Sequence, residues 1–143
     1  MLLKWFLLAV LASMSTANSD YPCEPDDHYV QNLGPVDTGL IFVNPRGGSY
    51  KGEKLCYWFV TCPVGADVII DCPFVDIPES HLCKRDRLLI KRATSLAPQS
   101  FCGNQTISTA SYGNVMGVSF QAPEDTEGGH FQCQTSCNFA LKY

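Results

Sequence analysis

Eight cysteines carry the clearest chemistry in this 143-residue chain: Cys23, Cys56, Cys62, Cys72, Cys83, Cys102, Cys133 and Cys137. An even count of this kind closes as four disulfides in an oxidising compartment. A zinc site is the competing chemistry. Cys133-x3-Cys137 has a usable spacing, but no second close Cys/His pair accompanies it, so disulfides are expected instead. His28, His81 and His130 are scattered, and no Gly-Asp-Ser-Gly or Gly-x-Ser-x-Gly nucleophile turn is present. A general base must lie within hydrogen-bond reach of its nucleophile, and no spacing here suggests such a pair. The chain therefore reads as a non-enzyme with no catalytic residues and no cofactor.

Two further stretches carry polar chemistry. Lys84-Arg85-Asp86-Arg87-Leu88-Leu89-Ile90-Lys91-Arg92 is a basic run. As a strand it would set Arg85, Arg87 and Lys91 on one face, with Leu88 and Ile90 inward. That face is either a patch for an acidic partner or a solvated sheet surface. Asn104-Gln105-Thr106 is the sole glycosylation sequon, in what reads as an exposed loop of a secreted chain.

The compartment follows from the first residues. Lys4 precedes an apolar run, Trp5 to Ala12, that is too short to span a bilayer. Ser15-Thr16-Ala17 supplies small residues for cleavage. Residues 1–17 are thus expected to be a signal peptide cleaved after Ala17, rather than an anchor. That leaves 126 residues, 18–143, as one domain that buries roughly two thirds of its unfolded surface. The loss of Lys4 takes the net charge from −4 to −5. An acidic balance argues against nucleic-acid and anionic-membrane partners.

The elements that must position these residues read as strands. Gly39 to Gly65 is the organising block. Leu40 to Val43 is a short β-branched run ended by Asn44-Pro45 and Gly47-Gly48. Leu55 to Val60 follows, with Cys56, Trp58 and Val60 on one side at period two. Asn18 to Asp27 reads as an irregular lead-in, and His28 to Leu33 as a first short strand. Asp67 to Cys72 reads as a strand hairpin-linked to Leu55–Thr61. Pro73 and Pro78 should bracket a bend, with Phe74 and Ile77 in the core. Later strands are expected at Asp86–Ile90, Ile107–Tyr112, Asn114–Phe120 and His130–Thr135, with a tail strand at Phe139–Tyr143. Ala93–Ser100 and the acidic Ala122–Gly129 read as loops. No helical period is sustained after the leader. Many short strands separated by turn signals predict an all-β antiparallel sandwich.

These segments, in this order, resemble a CUB domain. Leu40-Ile41-x-x-Asn44-Pro45 with Tyr50, Cys56-x-Trp58-x-Val60, Pro63-x-Gly65 with Val68-x-Ile70, Cys83-x-x-Asp86-x-Leu88-x-Ile90 with Cys102-Gly103, Ser111-x-x-Asn114-x-Met116-x-Val118-x-Phe120, and Gly129-x-Phe131 carry the likeness across roughly residues 23 to 135. The resemblance implies a jelly-roll-like extracellular sandwich. Cys23 lies far upstream of the first strand, where ordinary members have a closer cysteine. That arrangement resembles the CUB domains ahead of trypsin-like proteases in insect venom and saliva, and stand-alone venom CUB proteins. The implied role is protein recognition, with a serine protease or a host or prey protein as target.

The resemblance also implies Cys23–Cys56, Cys72–Cys133 and Cys83–Cys102, leaving Cys62–Cys137. A Cys62–Cys72 bond with Cys133–Cys137 stays open, since eight cysteines allow about a hundred pairings. Many relatives hold calcium between a glutamate and two aspartates. Asp86 aligns with one of the three. The other two positions fall on Pro78, beside Glu79, and near Ala122-Pro123, beside Glu124 and Asp125. Calcium takes six or more oxygens, so no family-type site is expected. Asp86, the sole metal-ligand candidate, should then cap a turn or pair with a neighbouring Arg.

Overall fold

Strand order places the chain in two stacked sheets. The computed structural model describes residues 19–23, 28–43 and 48–139. The expected signal peptide, the Asn44-Pro45 corner and residues 140–143 of the expected tail strand lie outside them. The strands are β1 (Ser19–Pro22), β2 (His28–Asn32), β3 (Thr38–Phe42), β4 (Lys54–Thr61), β5 (Asp67–Ile77), β6 (Arg87–Lys91), β7 (Gln99–Phe101), β8 (Gly103–Ala110), β9 (Val115–Ala122) and β10 (His130–Asn138). One sheet runs β1-β3-β10-β5-β8 and the other β2-β4-β9-β6-β7. Pairing is antiparallel except at two edges, where β1–β3 and β2–β4 are parallel.

The inward faces follow the period-two reading. Cys56, Trp58 and Val60 of β4, Leu88 and Ile90 of β6, and Met116, Val118 and Phe120 of β9 are buried. Phe131 of the opposite sheet packs at 4.9 Å from Phe120 and edge-on to Trp58 at 6.3 Å between ring centroids. Each such aromatic contributes about 2–3 kcal/mol through burial alone.

Several expectations are corrected. The lead-in is not wholly irregular, because β1 pairs with β3. β5 does not form a hairpin with β4. The turn at Pro63 to Gly65 carries the chain across to the other sheet, where β5 pairs with β10 and β8. No bend separates Pro73 from Pro78; β5 runs through to Ile77. Its register slips opposite Cys133 and again between Cys72 and Val75. Pro73, which lacks a donor, sits in that bulge. The bulge also shifts parity. Val68, Ile70 and Cys72 are buried before it, and Val75 and Ile77 after it, so Phe74 is turned out and 64 % exposed. The strand expected at Ile107–Tyr112 begins earlier, at Gly103, and β10 runs on to Asn138, leaving Phe139 outside it.

Four disulfides close the fold, two of them, Cys23–Cys56 and Cys62–Cys137, linking one sheet to the other. Cys23 bonds Cys56, Cys62 bonds Cys137, Cys72 bonds Cys133 and Cys83 bonds Cys102. Cys62–Cys137 joins the end of β4 to β10 in the other sheet, and Cys72–Cys133 joins neighbouring strands. In the chain-entropy picture Cys83–Cys102 contributes about 3 kcal/mol and Cys62–Cys137 about 4.

Candidate functional site

One end of the sandwich gathers three loops. The first leads into β4 and carries Tyr50. The second, between β5 and β6, carries Asp86. The third, between β9 and β10, carries Asp125, Thr126 and Glu127. Asp86 is only 2 % exposed. Tyr50 Oη donates to Asp86 Oδ2 at 2.6 Å, and Thr126 Oγ1 donates to the same oxygen. Oδ1 is therefore not consumed by these two bonds. Thr126 Oγ1 in turn accepts from Gly128 N at 3.0 Å.

Local sequence explains the alignment. Tyr50 N donates to Gly129 O at 2.8 Å, and its ring meets Phe120 edge-on at 4.9 Å. Gly128 has φ +85°, and a Cβ there would lie 2.5 Å from Tyr50 O. Only glycine lets the loop close on Tyr50 this tightly. The Tyr50 phenol is held far above its ordinary range, first by burial and then by the hydrogen bond and charge of Asp86. It therefore stays protonated and remains a donor to Asp86.

Asp86 faces a cleft of about 440 Å³ lined by Pro78, Glu79, Ser80, Arg85, Asp125 and Glu127. Four carboxylates and one guanidinium line it. Arg85 Nη2 reaches Asp125 Oδ1 at 2.8 Å, with both side chains more than half exposed. Such a pair contributes little to stability. The expected Arg partner of Asp86 is thus corrected: Arg85 takes Asp125, and two hydroxyls take Asp86. These residues do not fit a calcium shell. Among the described residues no three His, Cys, Asp or Glu groups converge to hold a metal ion, and Asp86 Oδ2 already accepts two hydroxyl donors.

The basic run does not form one face. Arg85 precedes β6, whereas Arg87 and Lys91 share the outer face of that strand. Arg87 donates through Nε and Nη2 to Gln121 Oε1 at 3.1 and 2.9 Å. Asn104 is exposed on β8, the outermost strand of its sheet, so the sequon lies in a strand and not a loop. His28 stands on β2, His81 in a single 3-10 turn (His81–Cys83) and His130 at the start of β10. Sequence reading missed Thr126 altogether and saw Tyr50 only as part of a corner. The outward residues Tyr57 and Phe59 were implicit in the alternation that put Cys56, Trp58 and Val60 inside.

Comparison with known proteins agrees with this architecture. The family model described as the CUB domain matches residues 37–134. Procollagen C-endopeptidase enhancer 2 of Mus musculus is 27 % identical over 136 residues, covering 91 % of this chain and 32 % of that protein. Adhesion G-protein coupled receptor G6 of Danio rerio is 31 % identical over 120 residues, covering 82 % of this chain and 10 % of the receptor. The chain thus spans about a third or less of the curated relatives it matches. Among solved structures, the CUB1-EGF-CUB2 domains of rat MASP-1 superpose with a TM-score of 0.65 at 19 % identity, over 76 % of this chain and 42 % of that one. That likeness is one of fold.

Proposed function

The chain belongs to the CUB domain family, and from that premise we propose that it is a secreted, non-enzymatic binding protein that recognises a partner protein through the loops around Asp86. The observation that carries this reading is the setting of Asp86. It is a nearly buried carboxylate held by two hydroxyl donors, at the wall of a cleft it shares with Glu79, Asp125 and Glu127. A cleft of that charge suits a Lys or Arg side chain, which would form charge-assisted hydrogen bonds there. Loops on a disulfide-tied scaffold are the usual place for recognition. Secretion is supported by the leader-like residues 1–17 and by eight paired cysteines. The placement of Cys23 and its resemblance to venom members support an arthropod venom or salivary setting, with a host or prey protein as target.

A second reading is favoured by the name of the mouse relative, an enhancer of an endopeptidase. On that reading the chain is an accessory to a secreted protease, and its resemblance to the CUB domains ahead of insect trypsin-like proteases supports that protease class. Two measurements separate these ideas. The oxidised protein is titrated with Lys- and Arg-bearing peptides and with their acetyl-lysine and citrulline counterparts. Binding that needs the charge, and that Glu127→Gln weakens at least tenfold, supports the cleft; equal binding of the neutral peptides sinks it. Affinity capture from the source secretion then tests the partner. A stoichiometric protease favours the accessory role, and its absence favours the self-standing effector. Replacing Arg85 and Arg87 with Ser asks whether the basic run contributes to capture.

A further inference from the structure

Gly117 lies in the middle of β9, where glycine weakens a strand, yet the fold does not require it. Its φ is not in the left-handed region, and an added Cβ would meet only Lys91 Cβ, at an ordinary 3.5 Å. The register of β9 with β4 and β6 is unbroken through Gly117, so no bulge accounts for it, and the close approach of a ligand or another chain is a further use of a strand glycine. The outer face around it has a matching shape. Cross-strand register sets Val30, Phe59, Gly117 and Lys91 in one row, and His28, Tyr57, Ser119 and Leu89 in the next. The missing side chain leaves an open trough of about 360 Å³ between the aromatic side and β6.

The trough wall is largely apolar. Val30 is 59 % exposed and Phe59 45 %, and the His28 ring stacks on Tyr57 at 4.7 Å. Val30, Tyr57 and Phe59 are therefore neighbouring exposed apolar side chains that line one open trough, a surface a partner could cover. Its charge is opposite to that of the chain. The protein carries −4, but no carboxylate lines the trough, and Lys91 stands on its rim with no ion pair among the described residues. The trough is open rather than enclosed, so a small molecule would leave most of its surface in water, whereas small-ligand sites bury most of theirs. An extended segment of a protein would cover the face instead.

We propose that the trough over Gly117 is a second docking surface, which takes a partner-protein segment presenting a large apolar side chain beside a carboxylate. The apolar side chain occupies the notch above Gly117 and Ser119 against Tyr57 and Phe59, and the carboxylate meets Lys91. This inference does not rest on the cleft at Asp86, which takes the opposite charge at the loop end of the sandwich.

The test uses the full oxidised chain, isotope-labelled for NMR, and two extended peptides: one with Phe and Leu flanked by Asp and Glu, the other with Lys in place of the acids. The acidic peptide should shift the amides of Gly117, Ser119, Lys91 and Phe59, and the basic one should not. Gly117→Val should leave the disulfide-bonded fold intact and weaken binding at least tenfold. Lys91→Glu should exchange the preference, so that the basic peptide binds and the acidic one does not. Unchanged binding in Gly117→Val overturns the proposal, as do shifts confined to the loops around Asp86. Binding of oleate vesicles through the trough without binding of the acidic peptide overturns it too, in favour of a lipid surface.

Discussion

Tyr50 Oη lies 2.6 Å from Asp86 Oδ2, joining positions 36 residues apart in sequence. Tyr50→Phe keeps the packing against Phe120 and removes only the donor. A hydrogen bond to a charged, buried acceptor is worth about 1–3 kcal/mol, and the variant should lose that much in denaturant unfolding at neutral pH. The pH dependence has a definite sign. The folded phenol titrates above its ordinary value of 10.0. This contribution to stability is therefore complete below about pH 10 and is lost as pH rises through the folded value. Tyr50→Phe should flatten the alkaline limb of the stability curve; an unchanged limb would disprove the assignment.

Gly39 on β3 faces Gln31 on β2, and a Cβ at Gly39 would overlap the Gln31 amide. Gln31 is fully buried, and its Oε1 accepts from Thr135 of the opposite sheet. The amide thus has little room to retreat. Gly39→Ala should cost about 1–3 kcal/mol as an overpacked site. Adding Gln31→Ala should recover part of that loss, because the two sites are in contact and their effects are not additive. Simple additivity of the two costs would show that the crowding is not there.

What could be read from the sequence was whatever alternation alone determines. Cys56, Trp58 and Val60, and Leu88 with Ile90, point inward because nothing interrupts the period of two. Phe74 failed because a bulge at Pro73 inserts a residue, and one-letter alternation cannot see where parity changes. The β4–β5 connection failed for a related reason: a Pro-x-Gly turn serves a hairpin and a sheet crossing equally well. At the site, Asp86 was visible as a singled-out carboxylate, but its partners come from loops 36 and 40 residues away. No local pattern encodes Thr126. The outer face around Gly117 was legible only in retrospect, as the other half of the alternation that fills the core.

Asn104 and Thr106 are both exposed on β8, whose far edge pairs with no strand among the described residues. An edge strand invites pairing with another chain, and a bulky hydrophilic group there would block it. Expressed through a secretory pathway, the protein should carry one glycosidase-sensitive glycan, and Asn104→Gln should remove it. The unglycosylated variant should self-associate at lower concentration in light scattering. A wild-type mass without a glycan would reject the modification.

Leu82 sits with φ +56° in the 3-10 turn beside Cys83, whose φ is +50°. A left-handed backbone costs an ordinary L-residue about 1–2 kcal/mol, and Leu82 gains little burial in exchange, being 70 % exposed. The Cys83–Cys102 bond and the hydrogen bonds of Cys83 N and Arg85 N to Ser80 hold the turn in place. Leu82→Gly should therefore stabilise the chain, by about 0.5–1 kcal/mol after the extra entropy of glycine in the unfolded state. That corresponds to roughly 2–4 °C in Tm. A lower Tm would mean that the exposed leucine makes a contact that outweighs its backbone strain. A higher Tm accompanied by weaker partner capture would instead place Leu82 on the recognition surface beside Asp86, with its strain retained for binding.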